Sequence, residues 1–259
     1  MQAKTQFLKH IIKGSFPEIT ALDFDHPLSG GFELYYPTAP HRIKLPDPTS
    51  ELGEDPTSET VEDPQLLYTS DFEGYAWGFG DYSRSEIQGL EDSTRYLLEI
   101  LRTEGPFVGI VGFSTGATMA MILVTLLERS SPSELMKAFQ LDASVSSNIW
   151  HTTTLKAPDS NFGVQALPPS FMFAIISSGV RLSHPRYKPL YCPKIQTPVL
   201  HFIGDYDTHI PNTDMLKLSR VCTKCTTVRH PGAHFMPRYM HCRVAMSKFI
   251  IECLSVEYC

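Results

Sequence analysis

No segment constrains the fold of this chain more than Gly112-Phe113-Ser114-Thr115-Gly116. It follows residues 107–113 (FVGIVGF), a short apolar run of the kind that forms a strand buried on both faces. It opens residues 115–129, an apolar stretch without a strong polar face, which predicts a buried helix. Strand, G-x-S-x-G and helix in that order are the context of a nucleophile elbow. The reason is steric. The serine sits on a strained turn whose backbone runs close to its neighbours, and the flanking glycines leave room. The turn pushes the serine Oγ out of the sheet at a helix N-terminus, where the Thr115 N–H is free to stabilise an oxyanion.

A serine hydroxyl is a weak nucleophile. It needs a base, and the base needs an orienting carboxylate. After a strand–elbow–helix unit the expected order is serine, acid, histidine. Asp205 and Asp207 follow the apolar run 198–203 (PVLHFI), and His230 and His234 follow a possible strand at 226–230. Both pairs fall in loops after strands, at the sheet edge where ligands bind. Asp207 is favoured because it lies further out in its turn. His234 is favoured because His230 ends the strand and precedes Pro231. His209 is too near Asp207 in sequence to be the obvious partner.

The rest of the chain alternates in the same way. Residues 19–25 (ITALDFD) and 171–177 (FMFAIIS) read as strands, and 85–103 as an amphipathic helix stopped by Gly105-Pro106. A closing helix is expected over 237–254. Strands alternating with helices predict an α/β fold, a mainly parallel sheet with helices on both faces. With 259 residues, one domain is expected over 1–259. Residues 130–170 have weak periodicity and read equally as a lid or as surface padding.

The formal net charge of −6 comes almost entirely from residues 46–64, which hold seven carboxylates and no Lys or Arg. Outside it 22 basic and 21 acidic residues remain. That composition predicts a solvated acidic surface insertion, and the absence of a basic face argues against nucleic-acid binding. No apolar run approaches the roughly 20 residues that span a bilayer, and no signal peptide is visible. The six cysteines all lie from Cys192 onward, unlike a secreted disulfide framework, so a cytoplasmic setting with reduced thiols is expected. Cys222-x-x-Cys225 stands alone, without the two further ligands zinc needs, and reads as a thiol pair. No phosphate-cradling glycine motif appears, so neither metal nor cofactor is expected. Tyr75 and Trp77 in YAWGFG are candidate substrate-binding residues, with core packing as the equal alternative.

Residues 105–120 (GPFVGIVGFSTGATMA) closely resemble the nucleophile region of the fungal FSH-type serine hydrolases. This α/β-hydrolase family includes the lovastatin-cluster thioesterase and the ovarian-cancer-associated hydrolase. Further matches are Tyr75-Ala76-Trp77, Gly89-Leu90-Glu91-Asp92-Ser93, and residues 171–179, 197–211 (TPVLHFIGDYDTHIP) and 230–238 (HPGAHFMPR). The resemblance places the triad on Ser114, Asp207 and His234, the residues reached above. It implies a cofactor-free hydrolase of a carboxylic ester or thioester, free or carrier-protein-bound, with fungal polyketide or fatty-acyl-like metabolism as the setting.

One departure stands out. Family members usually begin with an apolar strand ending in a His-Gly loop, which supplies a second oxyanion N–H. Residues 1–8 (MQAKTQFL) instead resemble the helix after that loop. The resemblance puts the missing strand beside the Ser114 strand. Its absence implies unpaired backbone groups at ~1–3 kcal/mol each, and a ~100–1000-fold loss of turnover for the missing donor. Three readings stay open: a start further upstream, a weakened or inactive paralogue that binds an acyl ligand or partner, and another loop, with Gly30-Gly31 nearest, replacing the donor. A cysteine-dependent dienelactone-type hydrolase is excluded, because position 114 is serine.

Overall fold

A computed structural model describes residues 33–44, 73–129, 139 and 170–255. The expected strand at 19–25, Gly30-Gly31, the acidic stretch 46–64 and all but two residues of the 130–170 segment lie outside the described residues. The regular elements are β1 (His41–Lys44), β2 (Glu73–Ala76), α1 (Leu90–Glu104), β3 (Gly109–Phe113), α2 (Thr115–Glu128), β4 (Phe173–Ser177), β5 (Val199–Gly204), α3 (Asn212–Ser219), β6 (Cys225–His230) and α4 (Met240–Ser255), with a 3₁₀ turn at Pro185–Tyr191 before β5.

β3, β4, β5 and β6 form a parallel sheet in that order. β4 and β5 are buried along their whole length, as strands covered on both faces must be. Their side chains alternate between two cores. Ala174, Ile176 and Val199 pack with α1 and α2 residues such as Leu97, Met119 and Leu123. Phe173, Ile175, Leu200 and Phe202 pack with Met246, Phe249 and Ile250 of α4. That period of two, with helices on either side, is the expected α/β arrangement. α2 is buried from Ala117 to Leu127, so its apolar composition reflects a helix enclosed by protein.

Two departures from the sequence expectation have local causes. α1 begins at Leu90, not at residue 85, because Gly89 adopts φ 77° and Gln88 pairs with Phe79 through two backbone hydrogen bonds. β1 and β2 form a separate antiparallel pair, His41 opposite Ala76. Its short, largely polar strands, HRIK and EGYA, carry no strand signature on their own.

Candidate active site

Because the four sheet strands are parallel, their C-terminal ends share one edge. The residues after them supply the site. Ser114 follows β3, Ser178 follows β4, Asp207 stands in the turn after β5, and His234 lies in the loop after β6.

Ser114 has φ 56° and ψ −124°, a conformation rare for a non-glycine residue. Its N–H donates to the Ser177 carbonyl at 2.9 Å, tying the turn to β4. Gly112 is sterically required here. A Cβ there would lie 2.5–2.8 Å from backbone atoms of Gly116 and Ala117. Gly116 is less confined, since a Cβ would meet only the Trp77 Nε1, at 3.6 Å. Ser114 occupies the N-cap of α2, yet its side chain does not cap the helix. A capping serine would normally accept from an N–H of the first turn. The Ser114 Oγ meets His234 Nε2 instead, at 2.9 Å. The N–H groups that begin a helix have no intrahelical partner, and no acidic residue stands in the first turn of α2. The Thr115 N–H thus lies at a positive helix terminus beside the hydroxyl, suited to a developing oxyanion.

His234 reaches Ser114 because its loop folds back across the end of β5. The Asp205 N–H donates to the His230 carbonyl and the Tyr206 N–H to the Gly232 carbonyl, at 2.9 and 3.0 Å. Gly204 permits the crossing, since a Cβ there would lie 2.6 and 2.7 Å from the carbonyl oxygens of Gly232 and Ala233. Phe113 and His209 flank the His234 ring, with centroids 4.8 and 4.9 Å away. His234 Nδ1 lies 2.8 Å from Asp207 Oδ2.

The Asp207 side chain has no solvent exposure. Its Oδ2 also accepts from the Ser178 hydroxyl at 2.9 Å, and its Oδ1 accepts from the N–H groups of His209 and Ile210 at 3.0 and 2.9 Å. Burial alone would push this carboxyl up. The Ile210 N–H, His234 and Ser178 outweigh that and hold it below the ordinary carboxylate value. The result is an ionised carboxylate with four donors, one of them a histidine aligned on a serine hydroxyl.

The alternatives considered from sequence lie elsewhere. Asp205 is tied to Arg229 at 2.6 Å on the surface. His230 is fully buried, with neither ring nitrogen hydrogen-bonded, packed against Phe235 and Tyr239. A cavity of about 280 Å³ opens on Ser114 and Thr115, bounded by Thr118, Val180, Ile210, Pro211, the Gly80–Ser83 turn, His209 and Asp214. Tyr75 and Trp77, read from sequence as either substrate-binding or packing residues, are not among the residues that line it. Tyr75, held in β2, is half exposed. Trp77 lines a separate apolar groove with Leu97, Phe107, Met119 and Phe171, its carbonyl bonded to the Ser93 hydroxyl at 2.7 Å. The Gly80–Ser83 turn was not legible as a cavity wall. Its one local signal is Asp81, whose carboxylate accepts from the Ser83 N–H and hydroxyl.

Cys222 and Cys225 are free thiols at the start of β6, the opposite sheet edge from Ser114. Among the described residues no cluster of three or more His, Cys, Asp or Glu side chains is arranged to hold a metal, and no helix is long and apolar enough to cross a membrane.

A family model described as serine hydrolase (FSH1) matches residues 3–246. "Family of serine hydrolases 3" of Saccharomyces cerevisiae is 32% identical over 213 residues, covering 80% of this chain and 67% of that protein. "Esterase OVCA2" of Danio rerio is 28% identical over 217 residues, 79% of this chain and 77% of the other. A Schizosaccharomyces pombe protein named "Dihydrofolate reductase" is 25% identical over 167 residues, and there the chain spans only 30% of the relative's length.

Proposed function

We propose that this chain, which belongs to the serine hydrolase (FSH1) family, cleaves a carboxylic ester or thioester through an acyl-enzyme on Ser114. The observation that carries the reading is the unbroken hydrogen-bonded line from Ser114 Oγ through His234 to Asp207. In this mechanism His234 Nε2 takes the Ser114 proton as Oγ attacks the acyl carbonyl. Asp207 fixes the tautomer with hydrogen on Nδ1 and stabilises the imidazolium that forms. The Thr115 N–H, at the uncapped end of α2, receives the oxyanion. The imidazolium then protonates the departing alcohol or thiol, and water repeats the sequence on the acyl-enzyme. The cavity beside Ser114 is of a size for a small acyl or alcohol group.

An apolar acyl substrate of fungal secondary metabolism, polyketide or fatty-acyl-like, and a cytoplasmic setting are the finer parts of the proposal. The family resemblance supports the first, and the free thiols support the second. The test is labelling with a fluorophosphonate probe. The wild-type chain should label and Ser114→Ala should not. Labelling that survives the substitution would refute the assignment. A wild-type chain that binds acyl esters but neither labels nor turns over would favour the second reading, an acyl-binding hydrolase fold without a complete oxyanion site.

A further inference from the structure

Two neighbouring strands of the sheet, β3 and β4, are each followed by a serine with positive φ, Ser114 at 56° and Ser178 at 53°. Each is a conformation that non-glycine residues seldom adopt. For Ser114 the strain places a nucleophile. Ser178 is fully buried, and its strained turn is held at several points. Its N–H donates to the Phe202 carbonyl of β5 at 3.1 Å. The N–H of the next residue, Gly179, lies 3.4 Å from Nε2 of His201, a buried histidine of β5 whose Nδ1 lies 2.8 Å from the Ser219 Oγ of α3. The product of this scaffolding is one contact. The Ser178 hydroxyl donates to Asp207 Oδ2, the same oxygen that accepts from His234.

We infer that Ser178 is a positioning residue for the acyl-transfer chemistry proposed above, on which this inference rests: its hydroxyl fixes Asp207 Oδ2 in line with His234 and takes up part of the charge on that oxygen. A carboxylate oxygen that carries two donors attracts an imidazolium less than one that carries a single donor. Without the hydroxyl, His234 should hold its proton to higher pH, and Asp207 should be less firmly aimed. The other groups facing this pair stay in place. They are His209 and Phe113, both against the His234 ring, and His230, close enough to Asp207 to feel its charge.

The test compares wild type, Ser178→Ala, Ser178→Gly and Ser114→Ala as full-length chains. Hydrolysis of a short p-nitrophenyl ester is followed from pH 5 to 9, and the His234 ring is titrated by ¹⁵N NMR. Alanine keeps the positive-φ strain and glycine relieves it, so their melting temperatures should differ. Both variants should nevertheless move the His234 titration, and the acid limb of kcat/KM, up by about half a pH unit to one unit. Both should lose kcat about tenfold at nearly constant KM. A titration that stays in place or moves down in both variants would overturn the inference, as would losses that simply follow thermal stability. Ser114→Ala isolates the underlying reading. If that variant keeps hydrolysing, the nucleophile is wrong, whereas an inactive Ser114→Ala with an unmoved His234 in both Ser178 variants refutes the role of Ser178 alone.

Discussion

Replacing Asp207 with asparagine separates chemistry from folding, and the structure sets both magnitudes. The carboxylate accepts four hydrogen bonds, two on each oxygen. The amide of asparagine has one accepting oxygen and one donating nitrogen. If the oxygen keeps the His209 and Ile210 N–H groups, the amide nitrogen takes the place of Oδ2. Ser178 can then turn its hydroxyl to accept, and His234 can shift its proton so that Nδ1 accepts. The buried Ser178 hydroxyl hydrogen then loses its Asp207 acceptor, so the stability loss should be ~1–3 kcal/mol, the cost of one buried donor left unpaired. The chemical loss is far larger. A His234 with hydrogen on Nε2 points a donor at Ser114 Oγ and cannot take its proton. An amide in place of a triad carboxylate costs about 10⁴-fold in kcat through the wrong tautomer, or about 5.5 kcal/mol of transition-state stabilisation. Initial rates on a p-nitrophenyl ester, read beside a urea melt, give both numbers. An Asp207→Asn chain that folds and keeps more than about a tenth of wild-type kcat would show that Asp207 does not orient the base.

Gly204→Ala should act on the site more than on the core. The new Cβ would press on the Gly232 and Ala233 carbonyl oxygens, which are backbone and yield little, and a displacement of His234 by ~1 Å is worth about 100-fold in kcat. Steady-state kinetics with a melting curve would show the rate falling well beyond the stability, and an unaltered rate would refute the close crossing. His201 predicts an acid-sensitive fold. Burial pushes its imidazole down to about 3, so between pH 6.5 and about 3 the unfolded chain binds a proton that the native chain refuses. Stability is complete above pH 6.5 and falls as pH drops, by up to ~1.4 kcal/mol per pH unit. His201→Asn should flatten that slope in urea melts at pH 4.5 and 7.5. Equal wild-type midpoints at the two pH values would refute it. The Asp207 contribution lies lower, since its carboxyl is held below the ordinary value and its share is lost only under about pH 4.

β6 (CTTVRH) is largely polar with exposed positions and reads only as a possible strand, but the positions of β3, β4, β5 and α2 were legible because each is an apolar run bounded by turn residues, and burial selects for little else. α3 was not. It has eight residues, with Met215 and Leu218 as its buried side chains, too short for periodicity to separate a helix from a loop. The Pro185–Tyr191 turn buries Tyr187, Leu190 and Tyr191, but its two prolines read as punctuation. The β1–β2 pair depends on partners about thirty residues apart in sequence, and neither strand has an apolar face to announce it.

The same distinction runs through the site. Ser114, Asp207 and His234 stand out in sequence because each follows a recognisable strand in an order that only one chemistry demands. Asp205 and His230, nearly identical by position, are separated by a single physical fact each: Asp205 points to Arg229 at the surface, and His230 is walled in beneath the loop that carries His234. Ser178 has no such signature. One more serine at a strand end is ordinary, and the acid it touches is 29 residues away. What distinguishes it is a backbone angle and a buried oxygen shared with His234, properties of the assembled sheet edge. A nucleophile must announce itself locally, since glycine has to make room for its turn. A residue that supports the acid needs only the right place in the sheet, so its role is written in the strand order β3-β4-β5-β6, which sets the Ser178 turn between the strand that carries Ser114 and the strand that leads to Asp207.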